Sequence, residues 1–87
     1  MAQQVMVQQI RSVLENAFTG IGIEELIELP TGRIAGSVSW AGFAGMDDVE
    51  RQERIRTVLK DEMGPDAQLV GVLLAYTPEE LTSMRAA

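Results

Sequence analysis

The sequence contains no cysteine and no histidine. Without thiols the chain cannot form a disulfide, a thiolate metal site or a nucleophilic cysteine. Without imidazole it lacks the usual general base at neutral pH and the commonest metal ligand. The Ser/His/Asp and Cys/His catalytic arrangements are therefore excluded. We expect a protein that is not an enzyme and that carries neither metal nor cofactor.

Basic residues are also few, because seven Lys and Arg stand against thirteen Asp and Glu, which gives a formal net charge of −6. An acidic domain repels phosphate backbones, so the composition disfavours nucleic acid as a partner. The first residues, MAQQVMVQQIRSV, contain no basic leader followed by a long apolar run. We expect neither a secretory signal nor a membrane span, and a cytoplasmic location.

The first half of the chain predicts a helix followed by a β-hairpin. Apolar residues between positions 3 and 18 recur with the helical period, and Gly20 follows where a helix commonly ends. Residues 23–29 and 33–40 then show the two-residue period of strands. Pro30 interrupts the first of these runs, so the two strands are expected to pair antiparallel across a turn.

The second half predicts a helix, a strand and a short last helix. Residues 47–63 return to helical spacing before Gly64 and Pro65, and residues 68–76 are apolar throughout. Thr77 precedes a proline and a glutamate in the pattern of a capped helix start. The order α-β-β-α-β-α predicts one α+β domain over residues 1–87, with a mixed three-stranded sheet and helices packed on one face.

The last predicted strand permits two interpretations. An apolar strand on both faces is typical of one covered on two sides. Alternatively, its side chains form a contact with a partner or with a second copy in a homodimer, and the residues concerned are Leu69, Val70, Val72, Leu74 and Tyr76.

The loop before the second predicted helix contains G-F-A-G at residues 42–45, which matches the short GxxG pattern of RNA-binding KH domains. The alternative is a purely structural loop, since Asp47 and Glu50 have the spacing of a capping box. A helix start that supplies its own carboxylates repels phosphate. We expect a capped structural loop, with a KH-like nucleic-acid-binding or transcription-regulatory domain as the alternative.

Two further clusters have a structural and a functional interpretation. The carboxylates at positions 47, 48, 50 and 53 are interleaved with arginines, which favours a solvated helix surface over a metal or acid/base site. Trp40 and Phe43 are candidates for core packing or, alternatively, for an aromatic platform that contacts a ligand.

The string FAGMDDVERQERI, residues 43–55, and the ending AYTPEEL resemble the BolA family. In that family the first segment runs approximately F-x-G-K-S-x-V-x-R-H-R-x-V. The resemblance implies a BolA-like fold, which is related to the type II KH fold, and a partner of the monothiol glutaredoxin kind with which a 2Fe-2S cluster is shared. It covers the element order of nearly the whole chain, but matching letters are confined to residues 43–81.

The chain departs from the family at the positions where the resemblance implies cluster ligands. The histidine between the two arginines is Gln52 here, and the histidine of the last strand falls on Leu69. The turn at residues 30–36 carries neither histidine nor cysteine. We therefore expect a BolA-like protein that does not complete an iron-sulfur site and that acts by protein-protein contact.

The expected partner-binding surface lies on the loop and the second helix, at Phe43, Gly45, Met46, Arg51, Gln52 and Arg56. Gln52 is unusual because it is polar and lies in the apolar half of that helix. It is either a hydrogen-bonded residue at the edge of the core, which we favour, or a ligand contact.

Overall fold

The structure is a computed structural model and describes residues 2–86, with side chains described from residue 6 to residue 85. Its helices and strands are α1 (Ala2–Ala17), β1 (Gly22–Glu28), β2 (Ile34–Ser39), α2 (Asp48–Met63), β3 (Val70–Tyr76) and α3 (Pro78–Ala86). Two 3-10 turns, Ala41–Phe43 and Gly64–Leu69, flank α2. The predicted α+β order is confirmed. Among the described residues, no helix is long and apolar enough to span a bilayer.

The three strands form one mixed sheet in the order β1-β2-β3. β1 pairs antiparallel with β2, and β2 pairs parallel with β3, as the hairpin and the crossover through α2 require. The β1–β2 ladder shifts register between Ile23 and Glu25 of β1. The β2–β3 ladder shifts between Ile34 and Gly36 of β2, and β3 contains the extra residue there. β3 is therefore an irregular edge strand.

The hydrophobic core lies between one face of the sheet and the helices α1 and α2. Its buried members are Ile10, Leu14, Phe18, Ile34, Val38, Phe43, Ile55, Leu59, Met63, Leu73 and Ala75. The members that lie on α1 and α2 recur every four positions, which is a spacing of one helical face. α3 lies at the end of the sheet, where Arg85 donates to Glu24 of β1 at 2.7 Å.

The opposite face of β3 is open to solvent. Leu73 and Ala75 point into the core, whereas Val72 and Leu74 are 61% and 48% exposed. The interpretation of β3 as a strand covered on two sides is thus wrong for the single chain. Leu69 falls in the turn before β3, because the 3-10 segment after Gly64 extends to that residue. Dimerisation through the exposed face remains a prediction.

A candidate partner-binding groove

The loop before α2 has a structural reason for its glycines. Gly45 adopts a φ of +83°, which favours glycine. A methyl group on Gly42 would overlap the ring of Trp40. The backbone N–H of Glu50 donates to the Asp47 carboxylate at 2.8 Å, so the predicted helix cap is confirmed. A glycine pattern with these constraints needs no ligand to explain it.

Phe43 is part of the core and not of the surface. It is fully buried, and its ring lies 5.2 Å from the Trp40 ring and 5.8 Å from the Phe18 ring. Trp40 is fixed in turn, because its indole N–H donates to the Thr19 carbonyl at 2.8 Å. The core interpretation of Phe43 is confirmed, and its assignment to an accessible partner-binding surface is wrong, because no partner can reach a buried ring.

Arg51 is likewise buried, with only 6% of its surface exposed. Its guanidinium donates to the carbonyls of Met46 and Ala75, each at 3.0 Å, and to both carboxylate oxygens of Glu80, at 2.7 and 3.1 Å. It therefore joins the loop, the end of β3 and the start of α3. Its assignment to the partner-binding surface is also wrong, because its donors are used inside the fold.

Glu80 completes a capping box at the start of α3. Its carboxylate accepts from the Thr77 backbone N–H at 2.8 Å, and its own N–H donates to the Thr77 hydroxyl at 3.1 Å. The hydrogen bonds from Arg51 and from the Thr77 N–H lower the pKa of Glu80 from 4.5 to about 2. The same bond to Glu80 raises the pKa of Arg51 above its ordinary value.

The lowered pKa of Glu80 predicts a pH dependence of stability. A carboxyl group that ionises more easily in the folded state stabilises the fold above its unfolded pKa, and this contribution is lost as pH falls from 4.5 through about 2. In Glu80→Gln this part of the acid-induced loss should disappear, so the free energy of unfolding should change less between those pH values than in the unaltered chain. Urea titrations at stepped pH measure it, with Glu79→Gln as the neighbouring control. Parallel curves for Glu80→Gln and the unaltered chain would contradict the prediction.

Gln52 lies beside Arg51 and contacts the same strand. Its amide nitrogen donates to the Leu73 carbonyl at 2.7 Å, just as Arg51 donates to the Ala75 carbonyl. The Tyr76 carbonyl accepts from the Trp40 backbone N–H, which follows β2, so it points towards β2. Because carbonyls alternate in direction along a strand, those of Leu73 and Ala75 point away from β2, to the free edge of β3. Two side chains of α2 therefore cap this edge. The prediction of a hydrogen-bonded Gln52 at the edge of the core is confirmed.

A groove of about 690 Å³ opens next to these capping bonds, between α2 and the free edge of β3. Its lining residues are Gln52, Ile55, Arg56, Leu59, Lys60, Gly64, Pro65, Ala67, Gln68, Val70, Gly71 and Leu73. The floor is aliphatic, and the charged members of the lining are two cations, Arg56 and Lys60. The groove thus combines an apolar surface with a positive rim in an acidic protein.

The structure brings together some of the predicted site residues and separates others. Gln52, Arg56 and Val70 line the groove. Gly45 lies instead in a second concavity with Tyr76, beside α3, while Met46 is half-buried against the core. Sequence reasoning missed Lys60 and Gln68. The spacing of four residues between Arg56 and Lys60 was a usable signal, because it places both on one helical face.

The residues at the positions where the BolA resemblance implies cluster ligands do not fit an iron-sulfur cluster. Gln52 directs its amide nitrogen to a backbone carbonyl, and Leu69 is aliphatic. Neither side chain offers the thiolate or imidazole that such clusters require. The chain contains no histidine or cysteine that could replace them.

Comparison of the chain with protein-family models, curated proteins and solved structures found no match.

Proposed function

We propose that this chain is a small non-enzymatic binding domain, BolA-like in organisation, that acts by holding a partner protein in the groove between α2 and β3. The groove is the observation that carries the proposal. Its lining is largely aliphatic and includes a few polar groups that can fix orientation, which is the usual composition of a binding site.

The walls of the groove support this function because they are fixed before a partner arrives. Ile55, Leu59 and Leu73 are buried in the core beneath it. Gln52 is held by its bond to Leu73. A site with immobilised walls loses little conformational entropy on binding. A partner of the glutaredoxin kind, as the family resemblance implies, would dock here without a shared cluster.

The KH-like alternative receives less support from the contacts of its loop. The concavity beside Gly45 is also lined by Glu79 and Glu80, and Arg51, the cation within it, is paired with Glu80. Asp47 and Asp48 add two more carboxylates at the start of α2. A phosphate at this loop would meet net repulsion.

A site-specific photocrosslinker tests whether the groove is the contact surface. Gln68 lines the groove and is exposed, so it tolerates a benzophenone side chain. Gln9, which is exposed on α1 and does not belong to the groove lining, is the matched control position. In cells that naturally produce the chain, position 68 should give a discrete protein adduct that position 9 does not give. Equal labelling from both positions, or none from position 68, would refute the proposal.

The proposed lack of cluster ligation predicts a spectroscopic result. Because no thiolate or imidazole is available, adding the chain to a monothiol glutaredoxin that carries a 2Fe-2S cluster should leave the visible absorption and circular dichroism of the cluster unchanged. A histidine-containing BolA protein, added under the same conditions, is the positive control. A new spectrum with the present chain would show that it contributes a ligand.

A further inference from the structure

The charge of the groove differs from the charge of the whole protein. The chain has thirteen acidic and seven basic residues. Yet the twelve residues that line the groove include Arg56 and Lys60 and no carboxylate. Neither cation takes part in an ion pair within the described residues. An occupant with negative charges would therefore find two free partners at the rim.

We infer that the partner segment is an acidic, extended peptide in which carboxylates alternate with branched apolar side chains. This inference rests on the proposed function and adds the chemistry of the partner. Arg56 and Lys60 are four residues apart on α2, a rise of about 6 Å. Side chains two residues apart in an extended strand are separated by about 6.7 Å. The spacing of two carboxylates on one side of an extended peptide thus matches the spacing of the two cations on α2.

The alternate side chains of such a peptide would face the aliphatic floor. The accessible apolar surface there comes from Val70 and Ala67, which are half-buried, and from Pro65, which is exposed; Ile55, Leu59 and Leu73 lie buried beneath them. A peptide with Leu or Ile between its carboxylates therefore gains burial of apolar area in addition to the ion pairs. Gln52 and Arg51 already donate to two carbonyls at the free edge of β3, so a peptide cannot pair as an added strand along the whole edge. Side-chain contacts must therefore supply most of its affinity.

The lining also distinguishes a peptide from single-stranded nucleic acid, the other anionic occupant. Proteins that bind single strands use aromatic side chains on which the bases stack, and several cations along the backbone. The groove has no aromatic residue in its lining and two cations. With a net charge of −6 on the chain, a dense row of phosphates is disfavoured relative to a peptide with a few carboxylates.

Fluorescence anisotropy with a labelled peptide of alternating glutamate and leucine tests the inference. The peptide should bind, and its glutamine-for-glutamate version and a short oligothymidylate should bind at least about tenfold more weakly at the same salt concentration. Arg56→Glu should weaken binding by at least about fivefold and Arg54→Glu by no more than about twofold. Arg54 is the matched control because it is exposed on α2 outside the groove.

Amide chemical shifts locate the bound peptide. The largest changes should fall on Gly71, Gln68 and the side-chain amide of Gln52. Equal binding of the neutral peptide, tighter binding of the oligothymidylate, or shifts confined to the open sheet face would overturn the inference. So would self-association of the chain that Arg56→Glu abolishes, because the occupant would then be a second copy. If the photocrosslink at Gln68 forms while the acidic peptide fails to bind, the binding function stands and only the chemistry assigned to the partner is wrong.

Discussion

Phe43→Ala is expected to lower the free energy of unfolding by about 4 kcal/mol, which is the usual cost of emptying a buried aromatic site. Phe43 is fully buried, and its ring contacts those of Phe18 and Trp40. The Arg51 guanidinium lies over the same ring, 5.9 Å from its centroid. The truncation therefore leaves a cavity at the point where α1, the loop before α2 and the Arg51 hydrogen bonds meet.

Urea unfolding followed by circular dichroism measures this effect, since a lower midpoint at an unchanged slope reports lost stability. Val49→Ala is the matched control because Val49 is also apolar and lies in the first turn of α2, but is 67% exposed. It should change stability by no more than about 0.5 kcal/mol. If Phe43→Ala proved as mild as the control, Phe43 would be a surface residue, as the sequence-based partner assignment assumed.

Gly36→Ala is expected to cost about 3 kcal/mol or more, because overpacking against backbone cannot be relieved by a side-chain movement. A methyl group at this position in the central strand would overlap the Glu25 carbonyl oxygen and lie 2.8 Å from the carbonyl carbon. Glu25 directly follows the register shift in β1 and pairs with Ser37, the neighbour of Gly36 in β2. The variant must therefore separate β1 from β2 or lose the bulge.

Gly71→Ala is the matched control for this substitution in the same sheet. Its added methyl group would meet the Ile34 carbonyl oxygen at 3.4 Å, an ordinary van der Waals distance, and Gly71 has no positive φ. We expect a change within about 0.5 kcal/mol. Thermal and urea unfolding of both variants check the pair. Equal stabilities for Gly36→Ala and Gly71→Ala would show that β1 does not approach β2 this closely.

The element order was predictable because each helix and strand carries its own periodicity and its own terminal residues. The caps are local as well, since Asp47 with Glu50 and Thr77 with Glu80 need only three residues of separation to form. The polar character of Gln52 within an apolar helix face also gave the correct interpretation, a bond at the edge of the core. These features depend on short stretches of chain.

The burial of the candidate site residues was not predictable in the same way. Core packing of Phe43 was one of two interpretations that the sequence left open, and Arg51 lies in a charged helical turn, where basic side chains are commonly exposed. Both residues are buried because Phe18, just after α1, Ala75 of β3 and Glu80 of α3 approach them in the fold. The positive groove is equally non-local, because α2 supplies its cations and β3 with the preceding turn supplies the opposite wall.

The sequence by itself determined the α+β order, the acidic charge and the lack of any thiol or imidazole, because composition and periodicity are properties of the chain before it folds. Only the tertiary structure decided which charged side chains are used internally and which are left free. The Arg51 guanidinium donates to Glu80 and to two backbone carbonyls, whereas Arg56, five positions further along the same helix, lines the groove. The reason is geometric: Arg51 faces the end of β3 and the start of α3, where carbonyl and carboxylate acceptors meet it, while the lining of the groove beside Arg56 includes no carboxylate.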